Sequence, residues 1–128
     1  MPKKRSFLLL SLAYALLPTG VNSAPVIATS DVVQVCEAGF GLKTTAESSS
    51  RKATCIAYLD AVIATALQIG TLASTDGKKS LFCLPEGIPY EDLAITFVRF
   101  SRANPRYDNR AAASVVLAAY ADVYVCKK

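Results

Sequence analysis

The sequence predicts an all-α domain, a small four-helix bundle stapled by two disulfides. Apolar residues recur at helical spacing in four segments. Glycine, proline and polar clusters punctuate the gaps between those segments. Cys36, Cys55, Cys83 and Cys126 all lie downstream of an N-terminal stretch with the order of a secretory signal.

That stretch carries Lys3, Lys4 and Arg5, then an uncharged apolar run from Phe7 to Leu17, then Pro18, Gly20 and Asn22 before the small pair Ser23-Ala24. A helix of the run's length spans about 16 Å, well short of a bilayer core of ~30 Å. Residues 1–23 are therefore expected to be a cleaved signal peptide, and 24–128 a single helical domain. The signal holds three of the 14 Lys+Arg residues; set against 10 Asp+Glu, the net charge of +4 falls to +1 without it. The basicity is thus a targeting feature, and nucleic acid is not an expected partner. An even number of cysteines in a short exported chain points to an oxidising compartment.

The first helix is expected over Asp31–Ala38, with Ser30 as N-cap, Val32, Val35 and Cys36 on one face, and Gly39 and Gly41 ending it. Lys43 to Ser50 is polar and reads as a loop. The second helix is expected over Arg51–Ile69, stopped by Gly70. Its stripe is Cys55, Leu59, Val62, Ala66 and Ile69, widened by Tyr58, Ile63 and Leu67. The apolar run Cys55–Ala73 raises a membrane span, but Asp60, Gln68 and a cysteine in need of a partner argue against one. Ser74–Lys79 has the composition of a turn, and Ser80–Ile88 returns as non-helical chain. Pro89 suits the first turn of a third helix. Glu91 and Asp92 complement its dipole, Leu93, Phe97 and Phe100 make its buried face, and Asn104-Pro105 ends it. Asp108 is expected to cap a fourth helix over Asn109–Val125, with Ala112, Val115, Val116, Ala119, Tyr120 and Val123 as its stripe and Lys127 and Lys128 near its negative end.

Four cysteines allow three connectivities. The second helix carries the chain about 22 Å away from Cys55, and the segment from Gly70 to Cys83 can return up to ~43 Å. That reach favours Cys55–Cys83, leaving Cys36–Cys126 to join the first and last helices.

Little in the chain points to catalysis. There is no histidine, the commonest general base, and no serine stands in a nucleophile-elbow pattern. Glu91-Asp92 is explained by the helix dipole. With no C-x-x-C and no histidine, neither a metal nor another cofactor is expected. Arg99, Arg102, Arg106 and Arg110 read as solvated positions around the turn between the third and fourth helices, or alternatively as a surface for an acidic partner. Tyr120 and Tyr124 share a helical face and are expected to pack in the core, or alternatively to serve an interface.

The segments Cys55-Ile56-Ala57-Tyr58-Leu59 and Leu81-Phe82-Cys83-Leu84-Pro85-Glu86-Gly87-Ile88 precede a helix ending at Asn104-Pro105 and an alanine-rich helix ending at Cys126. This order resembles the Rap/Tai family of type VI secretion immunity proteins over Val32 to Cys126. The F-C-L-P-x-G segment is its most specific part. Two positions depart from the family's pattern: Asp60-Ala61 stand where glycine often follows C-x-x-Y-L, and Val125 replaces the usual proline before Cys126. The resemblance implies a small periplasmic helical protein, no enzyme, often a homodimer, with no membrane contact once the signal is removed. Its implied partner is a cognate toxic effector, frequently a peptidoglycan amidase, whose active site it occludes. Loops are the usual carriers of such contacts. The interface is therefore expected on Ser74–Lys79 and Leu84–Tyr90, through Asp76, Lys78, Lys79, Glu86 and Tyr90. The alternative function is a small periplasmic stress chaperone that exposes apolar surface in acid, although the lack of histidine removes the usual switch near neutral pH.

Overall fold

A computed structural model describes residues 26–41, 46–73 and 80–127. The expected signal over 1–23 lies outside them, as does the turn at 74–79. The elements run α1 (Thr29–Gly39), α2 (Ala46–Ala73), α3 (Tyr90–Ala103), a 3-10 turn (Pro105–Tyr107) and α4 (Ala112–Val123). Among the described residues there is no strand, only a lone antiparallel bridge between Ala28 and Ala111. The expected class, all-α with two disulfides, is the one observed.

The α1–α2 hairpin is set by one close approach. A Cβ placed on Gly39 would lie 2.5 Å from both the Cα and the amide nitrogen of Lys52. Only a residue without a side chain lets the two backbones meet there. One turn back along α1 stands Cys36, and one turn forward along α2 stands Cys55. They form a disulfide with Cα atoms 5.0 Å apart. The same antiparallel register then carries Val32, Val33 and Leu59 into the core.

The expected pairing of Cys55 with Cys83 and Cys36 with Cys126 is therefore corrected. The bridges are Cys36–Cys55 and Cys83–Cys126, the latter with Cα atoms 4.9 Å apart. Chain reach gave only an upper bound on distance, and it permitted several pairings. The helix register, anchored at Gly39, selects one of them. Cys83 in turn lies along the C-terminal tail, where its N–H donates to the Tyr124 carbonyl at 2.8 Å.

The first and last helices are joined by backbone instead of sulfur. Neither α1 nor α4 has a side-chain cap. The Thr29 N–H and hydroxyl both donate to the Arg110 carbonyl, at 3.0 and 2.9 Å, and the Ser30 N–H donates to the Asp108 carbonyl at 3.0 Å. In return the Ala112 N–H donates to the Ile27 carbonyl at 3.0 Å. The Tyr58 hydroxyl, from α2, is hydrogen-bonded to the backbone of Ala113. Orphan donors at two helix starts are thus satisfied from across the molecule.

These bonds account for two shifted boundaries. Ser30 is inside α1 and does not cap it. Asp108 does not start α4, because Pro105 opens a 3-10 turn and the Asp108 and Arg110 carbonyls that follow it serve α1; α4 begins at Ala112. The other boundary errors lie at the end of α4, which stops at Val123 and not at Val125, and on α2, which runs 28 residues from Ala46 to Ala73. Ser48, Ser49 and Ser50 are helical where a loop was expected, with Glu47 and Arg51 forming an i,i+4 ion pair across them. Gly70 does not stop the helix, since one interior glycine costs only about 1 kcal/mol.

The core gathers Cys36, Cys55, Leu59, Phe97, Val116 and Tyr120, with Phe82 and Leu93 beside them. The buried stripe of α2 narrows to Cys55, Leu59 and Ile63, leaving Leu67 and Ile69 exposed. On α3, Leu93 and Phe97 are buried as expected, while Phe100 is half-buried and stacks on Tyr107. Tyr120 is fully buried, and its hydroxyl donates to the Leu93 carbonyl at 3.2 Å. Burial raises its pKa above the ordinary phenol value. Val123, expected in the stripe of α4, is exposed at the helix end.

Gly39→Ala is expected to destabilise the fold by about 1–3 kcal/mol, although alanine is the better helix former; a urea titration followed by circular dichroism measures it. A non-reduced peptide digest is expected to yield Cys36 linked to Cys55 and Cys83 linked to Cys126. The chain-entropy model assigns about 3.2 and about 4.0 kcal/mol to closing these loops. Replacing either pair by serine should lower stability on that scale.

Candidate partner-binding surface

The loop between Cys83 and α3 is exposed yet held at both ends. The Ile88 N–H donates to the Pro85 carbonyl at 3.3 Å, closing a turn over Glu86-Gly87. Gly87 has φ of 72°, the left-handed value that a type II turn requires at its third position. Pro89 then serves as the N-cap of α3, and its carbonyl accepts from Asp92 and Leu93. Glu86 is exposed at the tip of the turn. Tyr90, 38% exposed, donates its hydroxyl to the Asp60 carboxylate on α2, and that bond raises the phenol's pKa.

Behind the loop is a clasp. Phe82 is buried and meets the Tyr120 ring edge-on, with centroids 5.6 Å apart. Tyr120 in turn packs against Tyr124, whose hydroxyl shares a hydrogen bond with Thr96. Tyr124 and Cys126 hold Cys83 from the tail side. Of the residues that carry the family resemblance, Cys55, Tyr58, Leu59, Phe82 and Cys83 thus build the scaffold. The surface itself is left to Leu84, Pro85, Glu86 and Gly87.

Of the expected interface residues, Glu86 lies in this loop and Tyr90 opens the helix that follows it. Asp76, Lys78 and Lys79 lie outside the described residues. Arg99, Arg102, Arg106 and Arg110 are all exposed, in keeping with solvated positions. Two of them have partners within the molecule. Arg102 grips Glu37 of α1 with two bonds, Nε to Oε1 at 2.8 Å and a terminal nitrogen to Oε2 at 2.6 Å. Arg106 covers the Tyr107 ring, 4.8 Å from its centroid. Glu91 and Asp92 are exposed in the first turn of α3, as the dipole reading has it. Among the described residues, no group of three or more His, Cys, Asp or Glu is placed to hold a metal ion.

The unanticipated polar contacts include Tyr58 to Ala113, Tyr90 to Asp60, Thr96 to Tyr124, and Arg102 to Glu37. Only Asp60 left a signal, as a lone carboxylate on an apolar helix.

A family model described as Rap1a immunity proteins matches residues 28–126. No curated protein and no solved structure matches the chain.

The Arg102 guanidinium, by hydrogen bond and charge, holds the Glu37 carboxyl below its ordinary pKa of 4.5. A carboxyl whose folded pKa is depressed stabilises the fold above the unfolded pKa, and that contribution fades as pH falls through the folded value. Wild type is therefore expected to exceed Glu37→Gln in urea midpoint at neutral pH. The gap should shrink below pH 4.5 and in high salt, because the pair is exposed. Equilibrium denaturation across pH 3–7 checks this.

Proposed function

Because the chain belongs to the Rap1a immunity protein family, we propose that it is a periplasmic immunity protein of type VI secretion. It binds a cognate toxic effector, expected to be a peptidoglycan amidase, and occludes that enzyme's active site without catalysing a reaction itself. A homodimer belongs to the same proposal. The family match over 28–126 carries it.

The geometry of the 83–90 loop supports it. An inhibitor gains affinity when its contact surface is ordered before binding. Here the turn at Glu86-Gly87 is exposed while Cys83 is bridged to Cys126, Pro89 caps α3 and Tyr90 is tied to Asp60. Glu86 and Tyr90 are the residues through which this loop would meet the effector, with Asp76, Lys78 and Lys79 as further contacts.

The adjacent reading frame is expected to encode a cell-wall-degrading effector, and co-expression with it in the periplasm is expected to restore growth. Glu86→Lys should weaken protection without altering the thermal melt. Unrelieved toxicity from a folded, exported chain would sink the immunity role for that pair.

A further inference from the structure

The described residues also form concave surfaces away from this loop. Between α1 and α3 runs a groove of about 330 Å³, walled by Cys36, Phe40, Ala94, Ile95 and Val98, with Glu37 and Arg99 at its rim. Its walls are apolar, and Ile95 is 41% exposed. The two rim charges differ in state. Glu37 is already neutralised by the two-bond grip of Arg102. Arg99 makes no ion pair among the described residues, so the groove carries one uncompensated positive charge.

Arg99 also borders a second concavity, between α3 and α4, which holds the Asp122 carboxylate. An incoming carboxylate is repelled on that side and favoured on the α1 side. The groove is preformed as well: Cys36 at its base is locked to Cys55, and Arg102 ties α3 to α1. An arginine beside an apolar pocket is a common form of interface hot spot, and its guanidinium matches a carboxylate with two parallel bonds.

Resting on the immunity role proposed above, we propose that this α1–α3 groove is a second contact for the effector, receiving an apolar side chain flanked by an aspartate or glutamate that pairs with Arg99. The contact lies apart from the Glu86 turn and does not depend on it.

The probe is the effector whose toxicity the wild-type chain relieves, purified as an inactive variant. Arg99→Glu and Ile95→Asp are each expected to weaken binding by roughly 10- to 100-fold in calorimetry. Arg99→Lys should keep most of the affinity. In that variant a zero-length carbodiimide should join the introduced lysine to an aspartate or glutamate of the effector. Arg99 is exposed, so Arg99→Glu should retain the wild-type melt; if Ile95→Asp fails to fold, Arg99→Glu and the cross-link decide. Wild-type binding with Arg99→Glu within about three-fold and no cross-link overturns the groove assignment and leaves the immunity role standing. A change in self-association in place of effector affinity also overturns it, by assigning the groove to a second copy of the chain. Relief of toxicity with no binding by wild type removes inhibition by direct contact, and this contact with it.

Discussion

The close approach of Gly39 to the Lys52 backbone sets the rest of the molecule. It fixes the distance between α1 and α2 and, because helices advance in whole turns, it fixes their register. From that register follow the disulfide one turn away and the delivery of Val32, Val33 and Leu59 to the core. A side chain at position 39 would push the helices apart along their whole shared length, since packed interiors pass a local displacement on to their neighbours. The α1–α3 groove depends on the same constraint, because Cys36 and Phe40, on either side of Gly39, form part of its wall.

A second layer of order comes from unsatisfied backbone donors. The starts of α1 and α4 lack capping side chains, and each draws on the carbonyls that lead into the other. Two weak helix starts become one cross-linked junction. This explains how alanine-rich α4, with few large side chains, keeps its position. Ala112 and Ala119 are fully buried, so neighbouring helices come close, and Tyr120 and Val116 fill the space that the alanines leave.

The existence and approximate place of all four helices were legible in the sequence, because each had a periodic apolar stripe and a punctuating glycine or proline. So was the exposure of Glu86, from its place in a segment read as a non-helical loop. The disulfide partners were not. Gly39 was read as a helix stop, from local chemistry, whereas its missing side chain serves a tertiary contact. Spacing along the chain bounds which cysteines can meet, and helix register decides which do. The ion pair between Glu37 and Arg102 was hidden for the same reason: its partners are 65 residues apart and neither sits in a motif. Gly70 misled in the opposite direction, since a long helix already paired through Cys55, Leu59 and Ile63 absorbs one weak position.

The order of the two bridges along the chain has a bearing on how the protein is made. Cys36 pairs with Cys55 and Cys83 with Cys126, so the loops are consecutive and neither encloses the other. A chain emerging from its N-terminus presents Cys36 and Cys55 together before Cys83 has appeared. First-come oxidation then gives the native pair, and the last two cysteines have only each other left. Thiol–disulfide exchange is needed to correct a wrong pairing, and a consecutive arrangement leaves little to correct. A nested arrangement would instead have kept Cys36 waiting for the final residues of the chain. The fold is thus compatible with assembly by an oxidant alone, without a reshuffling catalyst.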